Sequence, residues 1–470
     1  MALHEHRTRI VCTLGPATDA TGVLPRMVSE GMNVARINMS HGDHTDHARR
    51  IGQAREAARQ AGHSLAILMD LPGPKFRVGK LKNDSLVLRE DTTIGLAAEE
   101  RSDTLPVRHR ELLRALRVGE SIYLADGAVE LRVLATSPAR VDCEVVIGGT
   151  VRSGSGINVP DSELSGLVPT AEDVVHLAFA VSQQADWIGV SFVQTADDLA
   201  RVRARLPAHA APLLMAKIEK RRALAELDAI IEAADGVMVA RGDLGVETDL
   251  AQIPLVQKRI IAAANARARP VVTATQMLES MVDHSHPTRA EVTDIANAVL
   301  DGTDAVMLSA ESAVGRHPPA AVRVLRRVIT ATEAEYGARM ALGRLQVNAG
   351  PTVDDAVVFA ASQFVARSNA SAIIAEVQDA GAAAAIASFR PAAPVVAVTS
   401  SEAAYRSLAM VWGVSPLLIA SAADRDELVA VAARWLYAEG LARPGERAVV
   451  LSCSALVTGA DILRVVRLPA

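Results

Sequence analysis

Polar residues of the types that bind phosphate groups and metal ions follow several short apolar segments of this sequence. Some form pairs two positions apart, and residues with that spacing lie on the same face of an extended strand. The pairs are Arg36/Asn38, Lys217/Glu219, Arg241/Asp243 and Ser309/Glu311, and further single candidates are Ser40, His41, Asp70, Thr273 and Thr275. Any one such residue is as often a structural ion-pair partner, but the convergence of several indicates an active site.

The residue types define the chemistry that such a site could perform. Glu219 and Asp243 are carboxylates with few nitrogen or sulfur ligands nearby, which suits Mg²⁺ or Mn²⁺ completed by water and substrate oxygens. Lys217 and Arg36 add the positive charge that neutralises a phosphoryl group during transfer. In the turn RGDLG, Gly242 lets backbone amides approach a carboxylate or phosphate. The sequence has no GxxxxGK[ST] loop and no nucleophile beside a base, which favours direct transfer.

The apolar segments that must position these residues alternate with helix-like stretches. Near-continuous runs of Val, Ile and Leu are typical of parallel strands that are covered by helices. Eight such units close a (β/α)8 barrel, in which the chemistry collects at the carboxyl ends of the strands. The segments are RIVCTL (9–14), NVARIN (33–38), LAILMD (65–70), DWIGVS (186–191), LLMAKIE (213–219), GVMVARGD (236–243), PVVTATQ (270–276) and AVMLSAE (305–311).

The chain between the third and fourth segments is far too long for a single crossover. It contains SLVLRED, ESIYLADG, VELRVLAT and RVDCEVVIGGTV, which alternate or pair around Asp-Gly and Gly-Gly turns. This pattern predicts an inserted antiparallel β-barrel lid domain that begins at Pro72-Gly73-Pro74 and ends near GSGINVP (154–160).

A boundary at VNAGP (347–351) precedes three more strand-like segments, SAIIAEV, APVVAVT and ERAVVLS, which predict a C-terminal α/β domain. The expected domains are the two parts of the barrel at 1–73 and 161–345, the lid at 74–160, and a C-terminal regulatory or oligomerisation domain at 346–470.

The composition favours a soluble globular protein. Of the 470 residues, 50% are apolar, and the formal net charge of −5 gives no electrostatic reason to expect nucleic acid or an anionic membrane as partner. Cys12, Cys143 and Cys453 lack metal-ligand spacing and are typical of a reducing compartment. The N-terminus, MALHEHRTRI, is charged where a signal peptide would be apolar. We therefore expect a cytoplasmic protein that binds neither nucleic acid nor membrane.

Six segments resemble those of the pyruvate kinase family and occur in the same order. They are RIVCTLGPAT, GMNVARINMSHG, MAKIEK, MVARGDLGVE, VVTATQMLESM and AVMLSAESAVG. The resemblance covers the barrel nearly end to end, is weaker in the lid and is weakest after residue 345. It implies a barrel with an inserted lid and a C-terminal α/β domain. It also implies phosphoryl transfer from phosphoenolpyruvate to ADP, giving pyruvate and ATP in the final step of glycolysis.

The resemblance further implies a role for each matching residue. Glu219 and Asp243 hold the divalent metal, Mg²⁺ or Mn²⁺, and Lys217 stabilises the phosphoryl group in transit. Arg36 binds the phosphate. The family also implies a homotetramer.

The carboxylate of the substrate is held, by the same resemblance, by the amides of Gly242 and Asp243 together with Thr275. Thr275 lies on the side from which the enolate carbon is protonated through water. The residues that lie toward the nucleotide are Asn38, His41 and Arg77.

The sequence departs from the family directly after Asp70. Most members read Asp-Thr-Lys-Gly-Pro-Glu there, and the acidic residue accompanies a required K⁺ ion. The corresponding monovalent-cation region here is Asn38, Ser40, Asp70 and Leu71. Lys75 stands at the position of the acidic residue, and its ammonium can supply a fixed positive charge. We expect that K⁺ is not required, as in members with the same substitutions; the alternative is that Lys75 is a solvated hinge residue.

Two further departures concern phosphate binding. Ser155 replaces the Lys that many members carry before the GxNxP segment, with Arg152 nearby, so the lid's contribution to nucleotide binding is left open. The loop that usually binds a sugar phosphate reads EVQDAGAAAA (376–385), with two acids and no hydroxyl side chain. Phosphate would meet negative charge there, so we expect no activation by fructose 1,6-bisphosphate.

Two alternative functions are considered. One is a Mg²⁺-dependent enolate lyase or aldolase of the pyruvate-binding barrel type, which would lack the lid and the ARINMSHG segment. The other is an inactive sensing homologue, whose signature would be the loss of Lys217, Glu219 or Asp243; all three are present.

Overall fold

The computed structural model describes residues 6–98, 103–107, 109–162, 167–209, 211–344, 353–420, 425–452 and 462–469. The strands are β1 (Arg9–Thr13), β2 (Val34–Asn38), β3 (Ala66–Asp70), β4 (Ser85–Leu88), β5 (Thr93–Ala97), β6 (Thr104–Pro106), β7 (Ser121–Leu124), β8 (Val129–Thr136), β9 (Arg140–Ile147), β10 (Gly149–Arg152), β11 (Ile157–Asn158), β12 (Trp187–Val190), β13 (Leu213–Ile218), β14 (Gly236–Ala240), β15 (Val271–Ala274), β16 (Ala305–Leu308), β17 (Ala372–Glu376), β18 (Val395–Thr399), β19 (Val414–Leu418), β20 (Arg447–Ser452) and β21 (Ile462–Arg467).

The α-helices are α1 (Val23–Ser29), α2 (His44–Ala61), α3 (Arg110–Ala115), α4 (Ala171–Ser182), α5 (Ala196–Arg203), α6 (Arg221–Ala225), α7 (Leu227–Ala233), α8 (Arg241–Glu247), α9 (Ile253–Ala266), α10 (Arg289–Asp301), α11 (Ala310–Ala313), α12 (Pro318–Arg344), α13 (Val353–Ser368), α14 (Ala380–Ser388), α15 (Glu402–Ser407) and α16 (Arg425–Ala438). Short 3₁₀ helices lie at Pro16–Thr18, Leu250–Gln252, Glu279–Val282 and Leu408–Met410. Among these helices, none combines the length and the apolar character needed to cross a membrane.

Eight parallel strands close into a barrel in the order β1-β2-β3-β12-β13-β14-β15-β16, with β16 paired to β1. Strands such as β1, β3 and β14 are buried along their whole length, because helices cover the outside and side chains fill the inside. The predicted (β/α)8 barrel is confirmed. We call the carboxyl ends of its strands the rim and the amino ends the floor.

The floor carries a repeated hydrogen bond. It occurs in four pairs of neighbouring barrel strands, β1/β2, β3/β12, β13/β14 and β15/β16. In each pair, the side chain of the residue just before the second strand accepts a backbone N–H near the start of the first strand. The four floor hydrogen bonds are Ile10 N–H to Asn33 Oδ1 (2.9 Å), Ile67 N–H to Asp186 Oδ2 (2.8 Å), Leu214 N–H to Asp235 Oδ2 (2.8 Å) and Val271 N–H to Asp304 Oδ2 (2.9 Å).

The C-terminal domain packs against this floor. Ala409 and Met410 join the apolar cluster that fills the lower barrel. The guanidinium of Arg390 is buried, pairs with Asp304 at 2.8 Å and lies 4.6 Å from the centre of the Trp412 ring. The domain itself is a five-stranded sheet in the order β19-β18-β17-β20-β21, parallel except for β20 and β21. The expected boundary at VNAGP (347–351) lies outside the described residues.

The lid elements lie between β3 and β12. They form a six-stranded sheet, β11-β7-β8-β9-β5-β6, and a two-stranded sheet, β10-β4. The pairings are antiparallel except for β5 with β6. At the entry to the lid, Gly73 has a positive φ of 64°, which favours glycine, and its N–H donates to Asp173 Oδ1 on α4 at 3.0 Å. The hinge is thereby attached to the barrel.

Candidate active site

A cavity of about 90 Å³ opens at the rim, and its lining brings together residues from six of the eight barrel strands or the loops that follow them. The site residues predicted from sequence that line it are Arg36, Asn38, Ser40, Asp70, Leu71, Lys75, Lys217, Glu219, Asp243, Thr275 and Ser309. Met238 and Met307 contribute to its apolar lining. The structure thus places most of the predicted polar residues around one small volume.

Lys217 is the most heavily contacted cation of the cavity. Its buried ammonium lies 2.7 Å from Glu219 Oε1 and 3.0 Å from Asp70 Oδ1, and it donates to Ser191 Oγ at 2.6 Å. Burial alone would lower the pKa of Lys217, but the carboxylates of Asp70 and Glu219 outweigh burial and raise it. The ammonium therefore stays charged throughout the physiological range.

Asp70 is held by a second cation. Arg36 donates from Nε and Nη2 to Asp70 Oδ2 at 2.8 and 2.5 Å, and from Nη1 to Thr13 Oγ1 at 2.8 Å. Burial favours the neutral acid, yet the charges of Lys217 and Arg36 lower the pKa of the Asp70 carboxyl. Asp70 is therefore an ionised group that orients the two cations of the cavity.

Glu219 and Asp243 are carboxylates that face the same cavity from neighbouring strands. Glu219 Oε2 accepts the backbone N–H of Phe192 at 2.9 Å. Burial raises the pKa of Glu219, the charge of Lys217 opposes that shift, and the carboxylate of Asp243 adds to it. A cation between the two carboxylates would relieve their repulsion. Two carboxylates that face one cavity fit an ion such as Mg²⁺, which needs only one or two carboxylates from the protein.

Gly242 contacts Thr275, which lines the cavity. The Gly242 N–H donates to Thr275 Oγ1 at 2.9 Å, and the hydroxyl donates to the Ala274 carbonyl at 2.6 Å. Thr275 has a positive φ of 67°, which a β-branched residue rarely adopts. The amide and the hydroxyl thus lie close together beside the cavity that Thr275 lines.

Lys75 reaches the cavity from the lid hinge. Its Nζ donates to Ser40 Oγ at 2.9 Å. Burial lowers the pKa of the Lys75 ammonium and the charge of Lys217 lowers it further, whereas Asp70, Asp243 and Glu219 oppose the shift. The side chain is therefore a half-buried cation within the field of the site.

A second cleft of about 400 Å³ separates the rim from the lid and shares Lys75 and Asp243 with the first cavity. Arg77 lines it and donates to the Gly154 carbonyl at 2.8 Å. Ser155 lies in the same wall. His41 follows β2 in an exposed loop and lines neither space.

The expected pairing of Arg241 with Asp243 on an extended strand is wrong. Strand β14 ends at Ala240 and Arg241 begins α8, where residues two apart point to different sides. Arg241 turns away from the cavity and donates to Asp294 Oδ2 at 2.7 Å and to the Thr275 carbonyl at 2.6 Å. It supports the loop that carries Thr275.

The pairing of Ser309 with Glu311 also fails. Glu311 is completely buried in α11 and accepts the amides of Ser309 at 2.6 Å and Leu278 at 3.0 Å. Thr273 is buried as well and bonds to Thr303 Oγ1 at 3.0 Å. Glu311 and Thr273 are structural, and only Ser309 of these expected residues faces the cavity.

Three residues near the cavity were not predicted as functional. Ser191 and Phe192 follow β12 and contact Lys217 and Glu219, and Lys220 lines the cleft under the lid. The signal for Ser191 was present, since it is the polar end of DWIGVS, but it lacks a partner at the two-residue spacing used above.

Two family models match the chain. The model described as "Pyruvate kinase, barrel domain" matches residues 5–322, and "Pyruvate kinase, alpha/beta domain" matches residues 355–466.

Relatives and a solved structure agree with these matches. A pyruvate kinase of Geobacillus stearothermophilus is 38% identical over 453 residues, covering 95% of this chain and 77% of the relative. A pyruvate kinase of Methylorubrum extorquens is 40% identical over 451 residues, covering 95% of this chain and 94% of the relative. A crystal structure of a pyruvate kinase from Cryptosporidium parvum is 30% identical with a TM-score of 0.92, covering 99% of this chain and 97% of that one.

Proposed function

This chain belongs to the pyruvate kinase family, and from that premise we propose that the rim cavity is where it transfers the phosphoryl group of phosphoenolpyruvate to ADP. The enzyme is a phosphotransferase of glycolysis that produces pyruvate and ATP. The observation that carries the location is the meeting of Lys217, Glu219 and Asp243 in one cavity. A coupled assay of pyruvate formation from phosphoenolpyruvate and ADP tests the activity. Absence of turnover in the folded enzyme would contradict it.

The two alternative functions are not favoured. The family matches include the barrel and the C-terminal domain, and a lid is inserted between β3 and β12, whereas the enolate lyases and aldolases of this barrel type lack both additions. A sensing homologue without activity would have lost at least one of Lys217, Glu219 and Asp243.

Enzymes of this family generally need Mg²⁺, and we assign Glu219 and Asp243 as its protein ligands, with Mn²⁺ as a substitute. When bound, the divalent ion would stabilise the negative charge of the enolate and of the phosphoryl group. Glu219 is oriented for this role by the Phe192 amide. Two carboxylates leave room for water and substrate oxygens around the ion.

Lys217 would stabilise the phosphoryl group in transit. Its ammonium is buried and held charged, so its field is little screened by water. Arg36 would bind the phosphate from the adjacent strand, because Asp70 and Thr13 fix its guanidinium at the edge of the cavity. The two cations together would offset the charge that moves toward ADP.

Gly242 and Thr275 are assigned to the substrate carboxylate. The amides of Gly242 and Asp243 belong to the first turn of α8, where backbone N–H groups have no partner within the helix, and the Gly242 N–H would exchange Thr275 Oγ1 for the substrate carboxylate. The Thr275 hydroxyl lies 2.9 Å from the Gly242 nitrogen and so can reach the same group. The enolate carbon would then be protonated from the side of Thr275, through water.

We assign the nucleotide to Asn38, His41 and Arg77. Arg77 supports this assignment because it lines the cleft that adjoins the cavity. The lid elements over this cleft would limit access of water and so reduce hydrolysis of the phosphoryl donor.

We also propose that this enzyme does not need K⁺, whereas members of the family usually need it. The Lys75 ammonium donates a hydrogen bond to Ser40 in the monovalent-cation region, and the residue is half-buried. Both observations fit a fixed cation better than a fully solvated hinge residue. Activity in tetramethylammonium buffer should change less than about twofold on adding KCl. In Lys75→Glu, KCl should activate about tenfold or more, which corresponds to one recovered ionic contact. Strong K⁺ activation of the wild type would refute the proposal.

Activation by fructose 1,6-bisphosphate is expected to be absent. The Asp379 carboxylate occupies the amides that begin α14, accepting from Gly381 at 2.8 Å and Ala382 at 3.2 Å. These are the donors that a phosphate would need at a helix N-terminus. A clear fall in the half-saturating phosphoenolpyruvate concentration on adding the sugar phosphate would contradict this expectation.

A homotetramer in the cytoplasm completes the proposal. Leu250 and Leu255, near the start of α9, are 77% and 59% exposed, and large apolar side chains of this kind are covered when subunits associate. Light scattering coupled to size exclusion measures the assembly directly, and a monomer at micromolar concentration would contradict the tetramer.

A further inference from the structure

The dipeptide Ser191-Phe192 lies between the lid hinge and the active-site cavity. The buried Ser191 hydroxyl donates to the carbonyl of Leu71 at 2.8 Å and accepts from the Lys217 ammonium at 2.6 Å. Leu71 directly precedes the hinge segment Pro72-Gly73-Pro74. A single hydroxyl therefore joins the backbone of the hinge to the catalytic ammonium.

Phe192 makes the corresponding link to the metal ligand. Its N–H donates to Glu219 Oε2 at 2.9 Å. Phe192 has a positive φ of 59°, an unfavourable conformation for a bulky residue that persists only where the surroundings enforce it. The strained backbone is thus what aims this amide at the carboxylate.

The Phe192 ring is enclosed on both sides. On the hinge side, a Cβ placed on Gly73 would come within 2.7 Å of Phe192 Cδ2. On the other side, the Lys220 ammonium lies 5.2 Å from the ring centre and 2.5 Å from Glu247 Oε1. A shift of the ring toward the hinge would therefore meet Gly73, and a shift toward Lys220 would disturb the buried ion pair.

We propose that Ser191 and Phe192 are positioning residues that couple the conformation of the lid hinge to the placement of Lys217 and Glu219. A shift of the hinge backbone would move the Ser191 hydroxyl and press on the Phe192 ring, so that the ammonium and the carboxylate change orientation together. The lid would then act on the chemistry as well as on the access of water. This proposal rests on the roles assigned above to Lys217 and Glu219.

The Ser191 link is tested by Ser191→Ala. Loss of a hydrogen bond to a charged group should lower kcat about 10- to 100-fold, while the KM for phosphoenolpyruvate changes less than about threefold. Ser191→Cys keeps a weak donor and acceptor of similar size, so its kcat should lie between those of the wild type and Ser191→Ala. An unchanged kcat, or a loss that follows only the fraction of folded enzyme, would overturn the link.

The Phe192 link is tested through the hinge, with metal binding as readout. Gly73→Ala should weaken Mn²⁺ binding in the absence of substrates about 10-fold, measured from the EPR signal of free Mn²⁺, because the displaced Phe192 amide no longer orients Glu219. Gly62→Ala is the matched control: Gly62 has a similar φ of 68°, and an added Cβ would meet no atom within 4 Å. Its Mn²⁺ affinity should equal that of the wild type.

A double-mutant cycle separates coupling from simple strain. Phe192→Ala removes the closest contact of the added Cβ, at 2.7 Å, and leaves the contact with Ser191 Cβ at 3.0 Å. Gly73→Ala should therefore have a smaller effect on Mn²⁺ affinity in that background than in the wild type. Independent effects that multiply would overturn the coupling. Lys217→Met distinguishes this failure from a failure of the assigned site: if that variant retains turnover, the roles assigned to the cavity are wrong, whatever Ser191 does.

Discussion

The floor and the rim of the barrel both contain buried charged groups, but they use them differently. At the floor, one arrangement repeats four times: Asn33, Asp186, Asp235 and Asp304 each accept the amide that begins the preceding strand. At the rim no such repeat occurs, and the polar side chains face a cavity of about 90 Å³. The floor groups satisfy the backbone, whereas the rim groups pair with one another around a space that a ligand can enter.

The same difference appears in how the cations are partnered. Arg390 at the floor donates to one carboxylate, Asp304, and to the Gly302 carbonyl, so its charge is neutralised by a structural ion pair. Lys217 at the rim is shared between Asp70, Glu219 and Ser191, groups that also contact other parts of the site. A shared cation can be redistributed when a ligand arrives. The manner of partnering, rather than burial, therefore distinguishes the cations of the proposed site from the structural ion pair at the floor.

Of the changes considered, Lys217→Met should have the largest effect, which is a loss of activity. Lys217 carries the only ammonium in contact with both Asp70 and Glu219 among the described residues. Under the role proposed above, its loss removes the charge that stabilises the transferred group, so turnover should fall at least about 10³-fold. The coupled assay measures this change, with circular dichroism to verify folding. Lys258→Met, which removes an exposed lysine paired with Asp301, is the control and should retain full turnover.

At the floor, Asp304→Asn should affect stability and not activity. Asparagine keeps an acceptor for the Val271 amide but leaves the buried Arg390 without its counter-charge, so the free energy of unfolding should fall by about 3 kcal/mol. Turnover per folded molecule should be unchanged. Urea denaturation measures the loss, and Asp235→Asn is the matched control, because its partner Arg203 is 44% exposed and the expected loss is below about 1 kcal/mol. A large fall in turnover per folded molecule would contradict the separation of floor and rim.

Lys75 provides a pH test of the rim. Burial lowers the pKa of its ammonium from the ordinary value of 10.5, so the charge is present at neutral pH and is lost as pH rises, at a lower pH than for a free lysine. Activity without K⁺ should therefore decline at alkaline pH, and KCl should restore part of it, about twofold to tenfold. Rate profiles from pH 7 to pH 10, with and without KCl, measure this. If the profiles with and without KCl coincide, the assignment of Lys75 to the cation site is wrong.

Asp19→Asn should have the smallest effect. Asp19 lies outside the cavity and bonds to Arg50 and Arg49, which lower its pKa from 3.8 to about 2. A lowered carboxyl pKa stabilises the fold above pH 3.8, and this contribution disappears as pH falls toward 2. The variant should lose less than about 1 kcal/mol at pH 7, since the pair is partly exposed. The difference from wild type should shrink in denaturation curves recorded at lower pH, and a constant difference would contradict this origin.

The barrel and most of its cavity could be predicted because they follow from local pattern. Buried strands read as apolar runs, and a polar residue at the carboxyl end of such a run reaches the rim, as for Asp70 and Lys217. The error at Arg241 has a physical cause: the strand ends with the apolar run at Ala240, before Arg241 and Asp243, and the helix that follows turns the Arg241 side chain outward. Spacing alone does not show whether polar residues after an apolar run continue the strand or begin a helix.

The floor hydrogen bonds and the Ser191-Phe192 link could not be predicted. Asp186 reads as the ordinary start of a strand, and its partner Ile67 lies 119 positions away in the sequence. The strained φ of Phe192 has no sequence signature, because the residue type that best tolerates such a conformation is absent there. Both features depend on distant contacts that exist only once the barrel has closed.

The floor hydrogen bond between Ile67 and Asp186 has a consequence for the modularity of the molecule. It closes the strand pair β3 and β12 at the end opposite the lid, so the whole inserted domain enters and leaves a unit that is fastened without it. The register of these two strands is therefore fixed at the floor as well as at the rim where the insertion departs and returns.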